Sequence, residues 1–196
     1  EQNKIAESAV LENKNYILFY MGDYDSSAWL NTQSIATYLT DPRRGEIPLM
    51  WPIAANNYAR APHAIDYLYR YQTNNDYFVY VNNGLGYFNP LMLKKEDRDP
   101  SLNGTLDSYF AEVAKAGEMF DLDLQGLVIT ATPLDEDLYR RYAQTAPAGI
   151  ITNWATGVTG IDTDDGVVGT IHEVDALDGT IQTDAWTIRA QMKSVA

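Results

Sequence analysis

Short apolar runs alternate with amphipathic stretches along this chain, and their order carries most of what the sequence says. Residues 16–22 form a continuous apolar run, as expected for a strand buried on both faces. Asp25, Ser26 and Ser27 then supply helix caps, and Ala28, Thr32, Ile35 and Leu39 recur at near-helical spacing up to Asp41-Pro42. The run 47–53 reads as a second strand, bracketed by Pro48 and Pro52. Pro62 suits the first turn of a helix that continues through Ile65, Leu68, Tyr69 and Gln72. A third strand, 77–81, runs into the glycine-rich turn Asn83-Gly84-Leu85-Gly86-Tyr87. Leu106, Tyr109, Phe110, Val113 and Phe120 mark the buried face of a helix over 105–120. A fourth strand follows at 127–130. Pro133 and Asp135 then open a helix through Leu138 and Tyr142, and 149–153 is a short fifth strand.

Alternating strands and helices with short connections predict an α/β fold with a mostly parallel sheet and crossover helices, open or closed into a (β/α) barrel. The tail differs: 167–174 and 180–190 read as a hairpin-like pair around Asp178-Gly179. The 196 residues suit a single domain spanning 1–196. A full barrel takes about 250 residues, so a barrel here is compact or a fragment of a longer enzyme.

Composition narrows the function. A net charge of −13 disfavours nucleic-acid partners, and the Arg and Lys residues form no basic stripe. No window approaches the ~18 apolar residues of a membrane span. The absence of cysteine removes disulfides, thiol nucleophiles and thiolate metal sites together. No cofactor is expected, and no metal site: Asp162-Thr163-Asp164-Asp165-Gly166 lacks the calcium loop's glycine and a side-chain oxygen at the required places. His63, at a helix start, and His172, in the tail, form no triad arrangement. Asn103-Gly104-Thr105 reads as a helix cap as well as a sequon.

Ligands collect at the C-terminal ends of parallel strands. Those exits carry Gly22-Asp23-Tyr24-Asp25, Trp51 through Asn57, Asn82 through Pro90, and Asn153-Trp154. Acids, amides and aromatics without cations resemble a carbohydrate site and not a phosphate pocket. In extended chain, Asp23 and Asp25 point to one face about 6–7 Å apart. They are candidate catalytic carboxylates for glycoside cleavage, or instead ligands of a hard cation such as Ca²⁺, or a cap (Asp25) and a loop brace (Asp23). Trp51, Tyr87 and Trp154 are candidate stacking rings. Asn82, Asn83 and Asn89 are candidate hydroxyl partners, with Gly84 and Gly86 allowing a close backbone approach.

Three segments together are similar to one family. Gly22 through Leu30, Arg44 through Ile53, and Asn75 through Phe78 leading into Gly84-Leu85-Gly86-Tyr87-Phe88-Asn89-Pro90 resemble the GxGYxYP family of bacterial glycoside hydrolases, whose activity is itself inferred. The resemblance covers roughly 15–90, with a weaker match at 149–153. It implies a barrel-like α/β domain, a secreted or cell-surface bacterial location and a carbohydrate ligand. Two positions depart from the pattern: Asn89 replaces the second tyrosine, and Asn82-Asn83 stands where relatives are expected to carry Asp-Ser. A lost acid there leaves either an enzyme that relies on Asp23, Asp25 and Asp76, or a non-catalytic carbohydrate-binding module.

Overall fold

The computed structural model describes residues 2, 19–21, 30–81, 83–86, 88–94, 100, 104–128, 135–152, 160–163 and 166–172. The apolar runs become strands β1 (Leu49–Ile53), β2 (Asp76–Tyr80), β3 (Leu124–Val128) and β4 (Gly149–Thr152). These pair parallel and in sequence order. The tail contributes β5 (Gly160–Thr163) and β6 (Gly166–His172). β6 lies parallel beside β4, and β5 closes the edge antiparallel to β6. Phe19–Met21 adds a further parallel contact on β1: Met50 N donates to Phe19 O and Met21 N to Met50 O, each at 2.9 Å.

Helices fill the crossovers: α1 (Asn57–Arg60), α2 (Pro62–Arg70), α3 (Thr105–Phe120) and α4 (Glu136–Thr145). A wide π-wound helix, Leu30–Leu39, precedes β1, and a 3₁₀ turn, Pro90–Leu93, precedes α3. Pro62 occupies the first turn of α2, where its missing N–H costs nothing. The fold is therefore mixed α/β, with parallel strands and crossover helices.

Alternation along the strands divides the core in two. Trp51, Ile53, Phe78, Tyr80 and Ile150 pack with Leu68, Phe110, Val113, Leu138 and Tyr142 from the helices. Met50, Val79 and Ile151 form a smaller cluster with Tyr20, Tyr77 and Leu124 on the opposite face. Both faces of the sheet are covered, which is why its strands read as unbroken apolar runs.

Several differences from the sequence pattern have physical causes. Pro52 lies inside β1 and does not end it. Residues of one parity bond β2, as Leu49 N does to Asn75 O (2.9 Å), and the other parity bonds Phe19–Met21. Pro52 has the second parity, so its missing donor is lost on that flank and not from the β2 ladder. β3 begins at Leu124, ahead of the expected 127, because Gln125 and Gly126 conceal it. Gln125 is wholly buried, and its Nε2 donates to Val81 O (3.1 Å) and Gly126 O (2.8 Å). A Cβ on Gly126 would stand 2.0 Å from Tyr80 O. α4 starts at Glu136, capped by Asp135, whose carboxylate accepts from Leu138 N at 2.9 Å. β6 pairs antiparallel with the preceding β5 over Gly166–Gly169. The 180–190 segment and Asp178-Gly179 lie outside the described residues.

α3 approaches β2 closely because residue 117 is glycine. A Cβ there would lie 2.0 Å from the Tyr80 hydroxyl, which donates to Val113 O at 3.0 Å. No helix among the described residues is long and apolar enough to cross a membrane.

Candidate functional site

The β1 exit turns at once into α1: Asn57 N donates to Ala54 O (2.8 Å) and Tyr58 N to Ala55 O (3.2 Å). Asn56 joins this exit to the next one. Its N–H donates to Leu85 O at 3.3 Å, and its carboxamide lies so close to Gly86 that a Cβ there would meet Nδ2 at 2.9 Å. Asn56 Oδ1 is buried with no hydrogen-bond partner among the described residues, as is Gln125 Oε1 behind Gly84. Buried carboxamide oxygens without partners are uncommon, because each forfeits its hydration.

The β2 exit is a left-handed turn. Asn83 (φ +54) and Gly84 (φ +94) reverse the chain, and Gly84 N closes the turn on Val81 O at 2.9 Å. Gly84 is needed for φ and for space, since a Cβ would press on Val113 at 3.0 Å. Asn83 is buried, and its Nδ2 donates to Phe88 O at 2.6 Å. Its carbonyl accepts two phenols, the Tyr109 hydroxyl from α3 and the Tyr142 hydroxyl from α4, the latter at 3.0 Å. Burial pushes the Tyr109 phenol up to about 12 and the Tyr142 phenol well above its ordinary value, so both keep the proton they donate.

The loop ends as firmly as it begins. Asn89 Oδ1 accepts from Leu91 N at 3.0 Å and caps the 3₁₀ turn. Lys94 then pairs with Asp135 (2.7 Å) and Asp137 (3.1 Å) at the start of α4. Burial opposes the Lys94 charge, but the hydrogen bonds to Asp135 and Asp137 outweigh it and raise its pKa. The exits 54–57 and 83–89 carry no charged residue.

The profile of the family described as "GxGYxYP putative glycoside hydrolase C-terminal domain" matches residues 13–189. The chain belongs to this family. The naming segment of the GxGYxYP family is the β2 exit loop, Gly84 through Pro90, with Asn89 where the name has tyrosine. That departure has a local reason: asparagine's short side chain reaches the N–H two residues on, which a phenol cannot. A crystal structure of a putative hydrolase from Bacteroides thetaiotaomicron VPI-5482, at 1.25 Å resolution, has the same fold, with a TM-score of 0.71 and 21% identity. The match covers 98% of this chain and 38% of that one, so the chain spans well under half of that protein's length. None of the curated proteins matches the chain.

Among the candidate GxGYxYP site residues, Asn83, Gly84, Gly86 and Asn89 come together in one loop, where each has a structural task. Trp51 is corrected from a stacking ring to a core residue. It is 4% exposed, and its indole N–H donates to Asp76 at 2.7 Å. Asp76 is corrected as well. It lies buried at the first residue of β2, away from the strand exits. It also accepts from Thr73 N (2.6 Å) and pairs with Arg44 (2.8 Å). A buried carboxylate with that many donors is a brace. Asp23, Asp25, Asn82, Tyr87 and Trp154 lie outside the described residues. His63 sits exposed on the first turn of α2. The sequence marks Asn56 only as part of a strand exit, and Tyr109 and Tyr142 only as helix residues; their part in holding this loop is not foreseen there. The available signal was that buried tyrosines need a hydroxyl partner, and only the fold says which carbonyl that is.

A separate hollow of about 230 Å³, lined by Ile65, Asp66, Tyr69, Met119, Phe120 and Asp121, opens beside the C-terminal end of α3. That is the end from which β3 starts, opposite the exits.

Proposed function

We infer that the chain contributes to glycoside hydrolysis, holding carbohydrate at the C-terminal ends of its parallel strands, with Asp23 and Asp25 as the paired carboxylates. The observation that carries this reading is the joining of the β1 and β2 exits. Asn56 packs on Gly86 and bonds Leu85, which makes one uncharged edge rich in amides and aromatics. The register supports bringing the acids to that edge. Tyr20 pairs with Met50, and β1 continues toward the exit as far as Ile53. Asp23 and Asp25 follow Met21 by two and four residues. A chain reaches at most about 3.3–3.6 Å per residue, which keeps Asp23 within roughly 7 Å of Met21 and Asp25 within roughly 14 Å.

In this reading one carboxyl protonates the glycosidic oxygen, and the other serves as base or nucleophile. The consecutive parallel order of β1–β4 and a second apolar cluster opposite the helices favour a (β/α) barrel, whose chemistry belongs at the strand exits. The test is release of reducing sugar from a panel of polysaccharides. Asp23→Asn is expected to lower turnover by about 10²-fold or more, the range of a lost acid–base group. Unchanged turnover in that variant overturns the assignment.

A second reading, a non-catalytic carbohydrate-binding module, is favoured by the amides that stand at Asn83 and Asn89. Glycan binding by the wild-type chain without any turnover establishes it.

A further inference from the structure

Phe88 is 40% exposed on a loop whose other described residues are mostly tied down. We propose that Phe88 is a sugar-stacking ring of the β2 exit, with the Asn89 carboxamide as its neighbouring hydrogen-bond donor, so that this loop binds a pyranose ring. The proposal rests on the carbohydrate reading above. A pyranose has an apolar C–H face that packs on an aromatic ring and a rim of hydroxyls that need polar partners.

Phe88 is held in place before any ligand arrives. Its carbonyl accepts from Asn83, and its ring leans on Tyr109 at 5.7 Å between centroids and 43° between planes. The loop is fixed at one end by the two phenols on Asn83 and at the other by Lys94 on Asp135. A ring so placed loses little freedom on binding. Asn89 spends its oxygen on Leu91 N, which leaves its two N–H donors without a partner among the described residues. Met92 is also exposed on this loop, but it carries no ring. Three other exposed apolar side chains lie elsewhere. Tyr71 stacks on Tyr67 past α2, Met119 borders the hollow at the end of α3, and Tyr58 leans toward Phe120.

The experiment is affinity electrophoresis of the purified chain in gels containing starch, xylan, galactomannan or mixed-linkage glucan, with thermal midpoints as a folding control. Phe88→Ala is expected to weaken binding roughly tenfold, and Phe88→Tyr to leave it within about threefold. Asn89→Asp keeps the capping oxygen but removes the donors, and it is expected to weaken binding severalfold. Met119→Ala is expected to bind as the wild type does. A folded Phe88→Ala with wild-type retardation overturns the proposal and leaves the carbohydrate reading intact. A wild-type chain that none of the polysaccharides retards overturns the carbohydrate reading, and this proposal with it.

Discussion

Asn83 is the residue whose role changes most between sequence and structure. As a strand-exit amide it looked available to a ligand, yet its side chain and its carbonyl are both committed to the fold. Trp51 changes in the same way, and the reason is parity. A strand covered on both faces has no polar alternation, so the sequence cannot show that residue 51 faces the helices together with Ile53 and Phe78. The indole also shields an ion pair. Trp51→Phe removes one donor from buried Asp76 and is expected to cost about 1–3 kcal/mol in urea unfolding, with glycan binding unchanged. A loss of binding without a loss of stability would contradict the core assignment.

At the scale of elements, the strand–helix order was legible because the apolar runs are short and their punctuation is strong, as with Pro62 before α2. The start of β3 was hidden because a glutamine and a glycine occupy it. Both are fitted to their neighbours: Gln125 bonds the end of β2, and Gly126 clears Tyr80 O. Gly117 is fitted likewise against the Tyr80 hydroxyl. Gly117→Ala gains helix propensity but pushes α3 off β2, and it is expected to destabilise by about 1–3 kcal/mol, read as a lower urea midpoint. The ion pairs from Lys94 to α4 are more than a quarter exposed, so their share of global stability is small. Their effect is expected locally. In Lys94→Met, amide hydrogen exchange across 83–94 should quicken while the urea midpoint moves by less than about 1 kcal/mol equivalent. High salt should quicken exchange in the wild type too. Unchanged exchange would show that the phenols on Asn83 hold the loop alone.

For the whole molecule, composition argues against nucleic-acid partners more sharply than it picks a ligand. An acidic, cysteine-free, tyrosine-rich chain fits a carbohydrate ligand, but only the packing shows which tyrosines are free to meet it. Tyr80 and Tyr142 are buried and Tyr109 is half-buried, and burial raises their phenol pKa values, that of Tyr109 to about 12. A phenol with a folded pKa above its unfolded value of about 10 gives its full stabilisation below that pH. For Tyr109 the stabilisation is lost as pH rises through about 12, and for Tyr80 and Tyr142 at higher pH. Phenolate absorbance is therefore expected to rise in two steps, exposed tyrosines near pH ~10 and buried ones later, together with loss of circular dichroism. A single step near pH ~10 with the fold intact would contradict the burial of these rings.

The central claim is that carbohydrate meets the strand exits, and amide chemical-shift mapping of the 22.0 kDa chain with a bound oligosaccharide tests it most directly. The account predicts that the shifted signals cluster at Ala54–Asn57 and Asn83–Asn89. Shifts gathered instead around Ile65, Tyr69 and Met119, at the opposite end of the sheet, would contradict it.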